Sequence, residues 1–270
     1  MPDAFSSAKE GLENFALLGA IAWVPCLDAG SLLPFWLSPR LEKAVASIHK
    51  EGRIPTTLSE DEVFLLWAAR ILIVRDQSDR NGDDWAEAVD RTHEMFLARG
   101  YAPIAGLIHP FHLAALRRYY RYMIRRGLIY LGDEQSSRRY VAHNESVARF
   151  FHHQIANTIS LIAGEPVKPS YVYLASYLSG AELRKHKDRE QCEFSVTFCL
   201  DFTPEPRQAT PWPIRLDTPK GKVTVFQALG DGLVYRGTQV PHYRDVLPAG
   251  QTSTSIFFHY VPAGFSGPLT

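Results

Sequence analysis

Two rhythms divide the chain. Up to about residue 165, apolar side chains recur at helical intervals; beyond Pro166 they alternate one by one. Ser59, followed by Glu60, Asp61 and Glu62, is a capping signal, and Val63, Leu65, Leu66, Trp67 and Ile71 continue it as a helix over 59–75. Residues 82–99 read as a second helix with Asp84, Glu87, Asp90 and Glu94 on its polar side. His109-Pro110 opens a third that runs to about Arg126, with proline suited to a first helical turn. Asn144 reads as the cap of a fourth. Its stripe is Val147, Phe150, Phe151, Ile155, Ile159 and Ile162, and Gly164 and Pro166 stop it. Segment 30–75 reads as a small winged-helix-like unit.

After Pro166, Tyr171, Tyr173, Ala175 and Tyr177 alternate with Val172, Leu174, Ser176 and Leu178. Phe194, Val196, Phe198 and Leu200 alternate with Ser195, Thr197 and Cys199. Further strands are predicted at Pro213–Thr218, Lys222–Ala228, Gly232–Arg236, His242–Leu247 and Thr252–Val261, separated by proline- and glycine-rich turns. The expected class is α+β: a helical region over 1–165 packed on a β-sandwich or barrel over 166–270.

Composition narrows the function classes. Of 270 residues, 29 are Lys or Arg and 29 Asp or Glu, so a zero net charge gives no global attraction to nucleic acid or an acidic membrane. Cys26, Cys192 and Cys199 cannot all pair and show no CxxC spacing, which argues against a disulfide framework or zinc knuckle. The apolar run Phe15–Cys26 is about half the ~20 residues of a spanning helix. A second run, Tyr101–Leu116, is interrupted by His109, Pro110 and His112. Both are expected as buried helices. Met1–Glu10 lacks a basic leader, so a cytoplasmic location is expected.

The chemistry concentrates in the β half. His186 and Asp188 stand at i and i+2, hence on one side of an extended strand, and His242 follows 56 residues after His186. Two histidines and one carboxylate form a facial set that leaves neighbouring positions open on Fe(II); zinc more often takes a closed tetrahedral set. His242 comes shortly after Gly230-Asp231-Gly232-Leu233-Val234-Tyr235-Arg236-Gly237. With an HxD pair, a Gly-Asp turn into a hydrophobic strand and a distal histidine, residues 170–261 resemble the 2-oxoglutarate/Fe(II)-dependent dioxygenase superfamily. The resemblance implies a double-stranded β-helix (jelly-roll or cupin-like), with His186, Asp188 and His242 as iron ligands. It also implies 2-oxoglutarate as cosubstrate and O2 as oxidant. Oxidative decarboxylation to succinate and CO2 would drive removal of hydrogen from a substrate C–H bond, with hydroxylation as the default outcome. Because Asp188 is present, the halide position of related halogenases is missing.

Many superfamily members carry a late-strand Arg or Lys that binds the far carboxylate of the cosubstrate. Here Gly250–Ile256 has no basic residue. A buried dianion still requires a cation. Arg244, two residues past His242, is the first choice and Arg236 the second, with Arg215 and Arg189 more remote. Hydroxyls of Tyr173, Tyr177 and Thr254 are possible helpers. A small metabolite, amino acid or peptide-like substrate is expected, with no nucleic-acid partner. The rival readings are a metal-binding cupin-like protein without turnover, and an iron enzyme that does not use 2-oxoglutarate.

The remaining clusters read as structural. His109 and His112 suit capping or core packing, and His152 and His153 diverge on a helix. Arg117, Arg121 and Arg125 form a ridge that the acidic side of the preceding helix is expected to neutralise. Cys192 and Cys199 read as small core residues.

Overall fold

The computed structural model describes residues 20–26, 31–72 and 78–270. Strands β1 (Ile21–Cys26) and β2 (Ser31–Trp36) pair antiparallel. Helices α1 (Pro39–Glu51) and α2 (Glu60–Ala68) follow. The expected helix over Phe15–Cys26 is thus a strand where it is described; residues 15–19, like Met1–Glu10, lie outside the described residues. Val24 and Phe35 bury themselves with Leu37, Leu41 and Leu66 in a small core, which an edge-to-edge hairpin satisfies as well as a helix. Ser59 caps α2 through a reciprocal bond with Glu62, as the sequence predicts.

Helix α3 (Ser78–Arg99) leads into β3 (Tyr101–Ile104), and α4 (Pro110–Arg125) follows. The run Tyr101–Leu116 is therefore a strand and a helix start rather than one helix. His109 caps α4 by accepting from the Phe111 amide. Strands β4 (Tyr130–Leu131) and β5 (Arg139–His143) precede α5 (Ser146–Gln154) and α6 (Ala156–Ala163). The predicted fourth helix is two, broken at Ile155, and its cap is Glu145 rather than Asn144. Glu145 accepts from the Val147 and Ala148 amides and from the hydroxyls of Tyr119 and Tyr120. Asn144 takes a left-handed φ of 51° and its side chain accepts from the Val172 amide.

The β-rich half supplies β6 (Val167–Tyr177), β7 (Leu183–His186), β8 (Phe194–Thr203), β9 (Ile214–Thr218) and β10 (Gly221–Val225). It ends with β11 (Gly232–Arg236), β12 (His242–Arg244) and β13 (Thr252–Pro262). Two antiparallel sheets result, ordered β3-β11-β8-β13-β6-β5-β4 and β10-β9-β12-β7. Strands β3, β4 and β5 come from before residue 166, so the larger sheet draws on both halves of the sequence. The architecture is α+β in three layers. One face of the large sheet (Val172, Leu174, Val196, Phe198, Ile256, Phe258) packs on Phe96, Leu116, Tyr119 and Phe151 from the helices. The other face meets the small sheet through Tyr177, Phe202, Trp212 and Phe257, and through Leu216, Leu233 and Tyr235.

Two arginines of the α4 ridge, Arg117 and Arg121, are paired by acids on and just beyond β8. Arg117 and Arg121 both pair with Asp201 of β8, and Arg117 also with Glu205. Among the described residues no helix is long and apolar enough to cross a membrane.

Candidate metal centre

Pairing of β12 with β7 sets His242 directly opposite His186. The two rings lie 4.3 Å apart between centroids. Asp188 follows the end of β7, and its amide donates to the Gly237 carbonyl, which fixes the turn beyond the strand. Asp188 Oδ1 lies 3.6 Å from His186 Nε2 and 3.5 Å from His242 Nε2. The three residues each offer a ligand atom within 4.8 Å of the others. The sequence-predicted trio therefore converges.

The donor set fits a divalent first-row ion. His186 Nδ1 is 2.7 Å from the Arg184 carbonyl, and His242 Nδ1 is 3.1 Å from that of Val240. A carbonyl only accepts, so in each neutral ring Nδ1 carries the proton and Nε2 keeps its lone pair on the Asp188 side. Burial would raise the Asp188 carboxyl, but the His186 imidazole beside it, the neighbouring His242 and His259 and the Ser195 hydroxyl hold it well below the ordinary range. The Asp188 carboxylate beside it raises His186, whereas burial lowers His242.

The trio lies in a cavity of about 480 Å³ between the edge of the small sheet and the β4–β5 end of the large one. Tyr171, Tyr173, Tyr177, Tyr235, Phe257 and His259 line it with Asp133, Glu134, Arg139, Lys187 and Arg189. Of these, Tyr173 and Tyr177 were expected near the site. The Tyr173 hydroxyl donates to Asp133 at 2.6 Å, and Tyr177 accepts from Arg139.

Arg244 is buried, with Tyr177 and Tyr235 close enough to act on its charge, and is itself not among the residues that line the cavity. It donates to the Trp212 carbonyl (2.6 Å) and to Gln227 Oε1 (3.1 Å), and stacks over the Trp212 ring. No carboxylate pairs with it among the described residues, and its Nε is buried without a partner. Two expectations need correction. Arg236 lies against Phe96 and Phe194, on the helix-facing side of β11 opposite to Tyr235, and pairs with Glu193. Thr254 shares the helix-facing side of β13 with Ile256 and Phe258 and bonds to Ser176. Neither lines the cavity. Arg215 is taken by Asp245, whereas Arg189 lines the cavity and stacks on Tyr171.

Sequence reasoning missed Ser195, His259, Arg139 and Asp133. His259 stands two residues past Phe257 on β13, and both line the cavity, but the strand is buried on both faces and gave no sign of which parity faces inward. Arg139 and Asp133 had no signal, because they reach the cavity through pairing of β5 with β6.

No protein-family model matches the chain, and no curated protein matches it. Solved structures do. The non-haem alpha-ketoglutarate-dependent epimerase SnoN from nogalamycin biosynthesis is 14% identical, with a TM-score of 0.55 over 66% of this chain and 84% of that one. A Pseudomonas putida prolyl-4-hydroxylase is 18% identical, with a TM-score of 0.52 over 65% of this chain and all of that one. AviO1 from Streptomyces viridochromogenes Tue57 is 17% identical, with a TM-score of 0.54 over 66% and 97%. The chain thus shares the fold of 2-oxoglutarate/Fe(II) oxygenase structures, as the sequence resemblance implies.

Proposed function

We propose that the two sheets form a double-stranded β-helix and that the protein is a non-haem Fe(II)/2-oxoglutarate-dependent oxygenase. The observation that carries this reading is the meeting of His186 Nε2, Asp188 Oδ1 and His242 Nε2 at one cavity. An Fe(II) ion held there supplies O2 activation coupled to decarboxylation of the cosubstrate. The overall balance is substrate C–H plus O2 plus 2-oxoglutarate giving C–OH, succinate and CO2. Solved neighbours with this fold include an epimerase, a carbocyclase and a hydroxylase, so the fold accommodates several outcomes. Hydroxylation is the one we assign.

Arg244 holds the far carboxylate of 2-oxoglutarate. Its support is physical: a buried guanidinium without a carboxylate partner among the described residues, two of its five N–H groups engaged and Nε–H unpaired. Such a group is costly unless an anion completes it. Burial keeps it from water, and Tyr177 and Tyr235 lie close enough to act on its charge. Charges of both signs among the lining residues, Asp133 and Glu134 with Lys187 and Arg189, suit a small polar metabolite, an amino acid or a peptide-like group.

The test is O2 uptake measured together with succinate release from 2-oxoglutarate. Stoichiometric coupling supports the reading. Metal binding without either supports a binding protein, and O2 uptake without succinate supports an iron enzyme with another electron source.

A further inference from the structure

Behind Asp188, on the side away from the two imidazoles, the structure contains a second set of polar groups that the reading above does not use. Ser195 on β8 is fully buried, and its Oγ lies 2.6 Å from Asp188 Oδ2. The same oxygen lies 2.9 Å from Nδ1 of His259 on β13, which pairs with β8 so that His259 stands opposite Ser195. Proton counting fixes the direction of both bonds. The ionised carboxylate can only accept, so the single Ser195 proton goes to Asp188. Ser195 Oγ must then accept from His259, which makes His259 the Nδ1–H tautomer. His259 is itself clamped, because its backbone carbonyl accepts from Ser170 Oγ and His152 Nε2, both at 2.8 Å. Its ring packs on Tyr171. Gly237 closes the remaining side: a β-carbon there would overlap Asp188 Oδ2, Ser195 Oγ and the Cys192 carbonyl.

We propose that His259 and Ser195 act in series as positioning residues for Asp188, holding Oδ2 by a directed His259 Nδ1–H to Ser195 Oγ–H to Asp188 Oδ2 relay so that Oδ1 alone faces the metal. This rests on the metal-centre reading and adds to it two residues outside the His186, Asp188 and His242 trio that act through Asp188. The physical ground is that the carboxylate is the one anionic ligand of the trio, and its free rotation would swap Oδ1 for Oδ2. Partners beyond the ligands commonly change metal affinity by about 10–100-fold. Asn at position 259 can carry an amide N–H close to the place of Nδ1–H, whereas Leu cannot.

The experiment is a titration of the full chain with Co(II) alone, following its d–d spectrum, in wild type, Ser195→Ala, His259→Leu, His259→Asn and the double variant Ser195→Ala/His259→Leu. We expect Ser195→Ala to lose at least tenfold in affinity with an altered spectrum, and His259→Leu to lose less. His259→Asn should retain near wild-type binding, and the double variant should match Ser195→Ala alone. Unchanged affinity in Ser195→Ala, or additive losses in the double variant, overturns the relay while leaving the metal centre standing. Wild type that binds no Co(II) overturns the metal centre instead. Independently of any metal, imidazole 15N shifts of the metal-free protein should report the Nδ1–H tautomer at His259, and the Nε2–H tautomer there overturns the relay. That second measurement decides the matter even if a variant fails to fold.

Discussion

Asp188 divides its two oxygens between tasks: Oδ1 sits between two imidazoles while Oδ2 is held by Ser195. Removing it should therefore remove the centre without removing the fold. Asp188→Ala is expected to lose Fe(II) binding at least a hundredfold while its circular dichroism matches wild type; retained affinity would contradict the ligand assignment. Metal binding also requires neutral imidazoles. His186 is raised by the Asp188 carboxylate beside it, so protons compete at this ligand to a higher pH than for an ordinary histidine. Affinity for Fe(II) should fall as pH is lowered through and below neutrality, which an anaerobic titration at several pH values checks. Arg244→Ala should mainly raise the KM for 2-oxoglutarate; an unaltered KM would assign the cosubstrate clamp elsewhere. At this scale the sequence was informative where strand parity relative to a candidate ligand could be counted. The closeness of His186 and Asp188 was legible from their i, i+2 spacing, that of His242 from the family resemblance, and the burial of Arg244 on the side of β12 that His242 occupies follows from their i+2 relation. Arg236 and Thr254 were misplaced because their strands are buried on both faces. Leu233-Val234-Tyr235 and Ile256-Phe257-Phe258 are continuously apolar and hide which parity faces inward.

At the scale of elements, helices are joined to each other and to the sheet by a few acids. Glu145 caps α5 and ties it to Tyr119 and Tyr120 of α4, and Asp201 receives Arg117 and Arg121 of α4. Asp201→Ala is expected to cost about 2 kcal/mol of stability, from lost charge-assisted bonds, with unchanged metal affinity. Urea unfolding and Co(II) titration on the same variant measure the two quantities. The strong helices with capping signals were readable to within a few residues, as α2 and α4 demonstrate. Strands β1, β3 and β7 were not. The first two lie in apolar runs whose period does not separate helix from strand, and β7 reads Leu-Arg-Lys-His, an edge strand with no apolar alternation. Asn144 and Glu145 both suit a cap, and only the contact of Asn144 with the Val172 amide decides between them.

At the scale of the whole molecule, helices brace the outer face of the large sheet, and the cavity opens between the two sheets. That layering buries several histidines away from the site. Burial lowers His109 to about 4, and His112 and His152 to about 3. Their folded values lie below the unfolded value near 6.5, so the unfolded chain binds more protons as pH falls below about 6.5. The stability they contribute is present above that value and is lost progressively down to their folded values. Between pH 7 and 5 the loss is at most about 2 kcal/mol per histidine. Metal-free protein should unfold at a lower urea midpoint at pH 5 than at pH 7; equal midpoints would contradict the burial of neutral rings. The α+β class was legible from the change of rhythm at Pro166, whereas the contribution of β3, β4 and β5 to the large sheet was not. Pairing between strands distant in sequence leaves no local pattern.

The central claim is that one cavity binds Fe(II) through His186, Asp188 and His242 and takes 2-oxoglutarate beside it. Titrating 2-oxoglutarate into the anaerobic Fe(II) protein tests it most directly. A weak visible charge-transfer band that saturates with 2-oxoglutarate, and is absent in Asp188→Ala, is the predicted result. No band in the wild-type protein, together with a metal affinity that 2-oxoglutarate leaves unchanged, would contradict it.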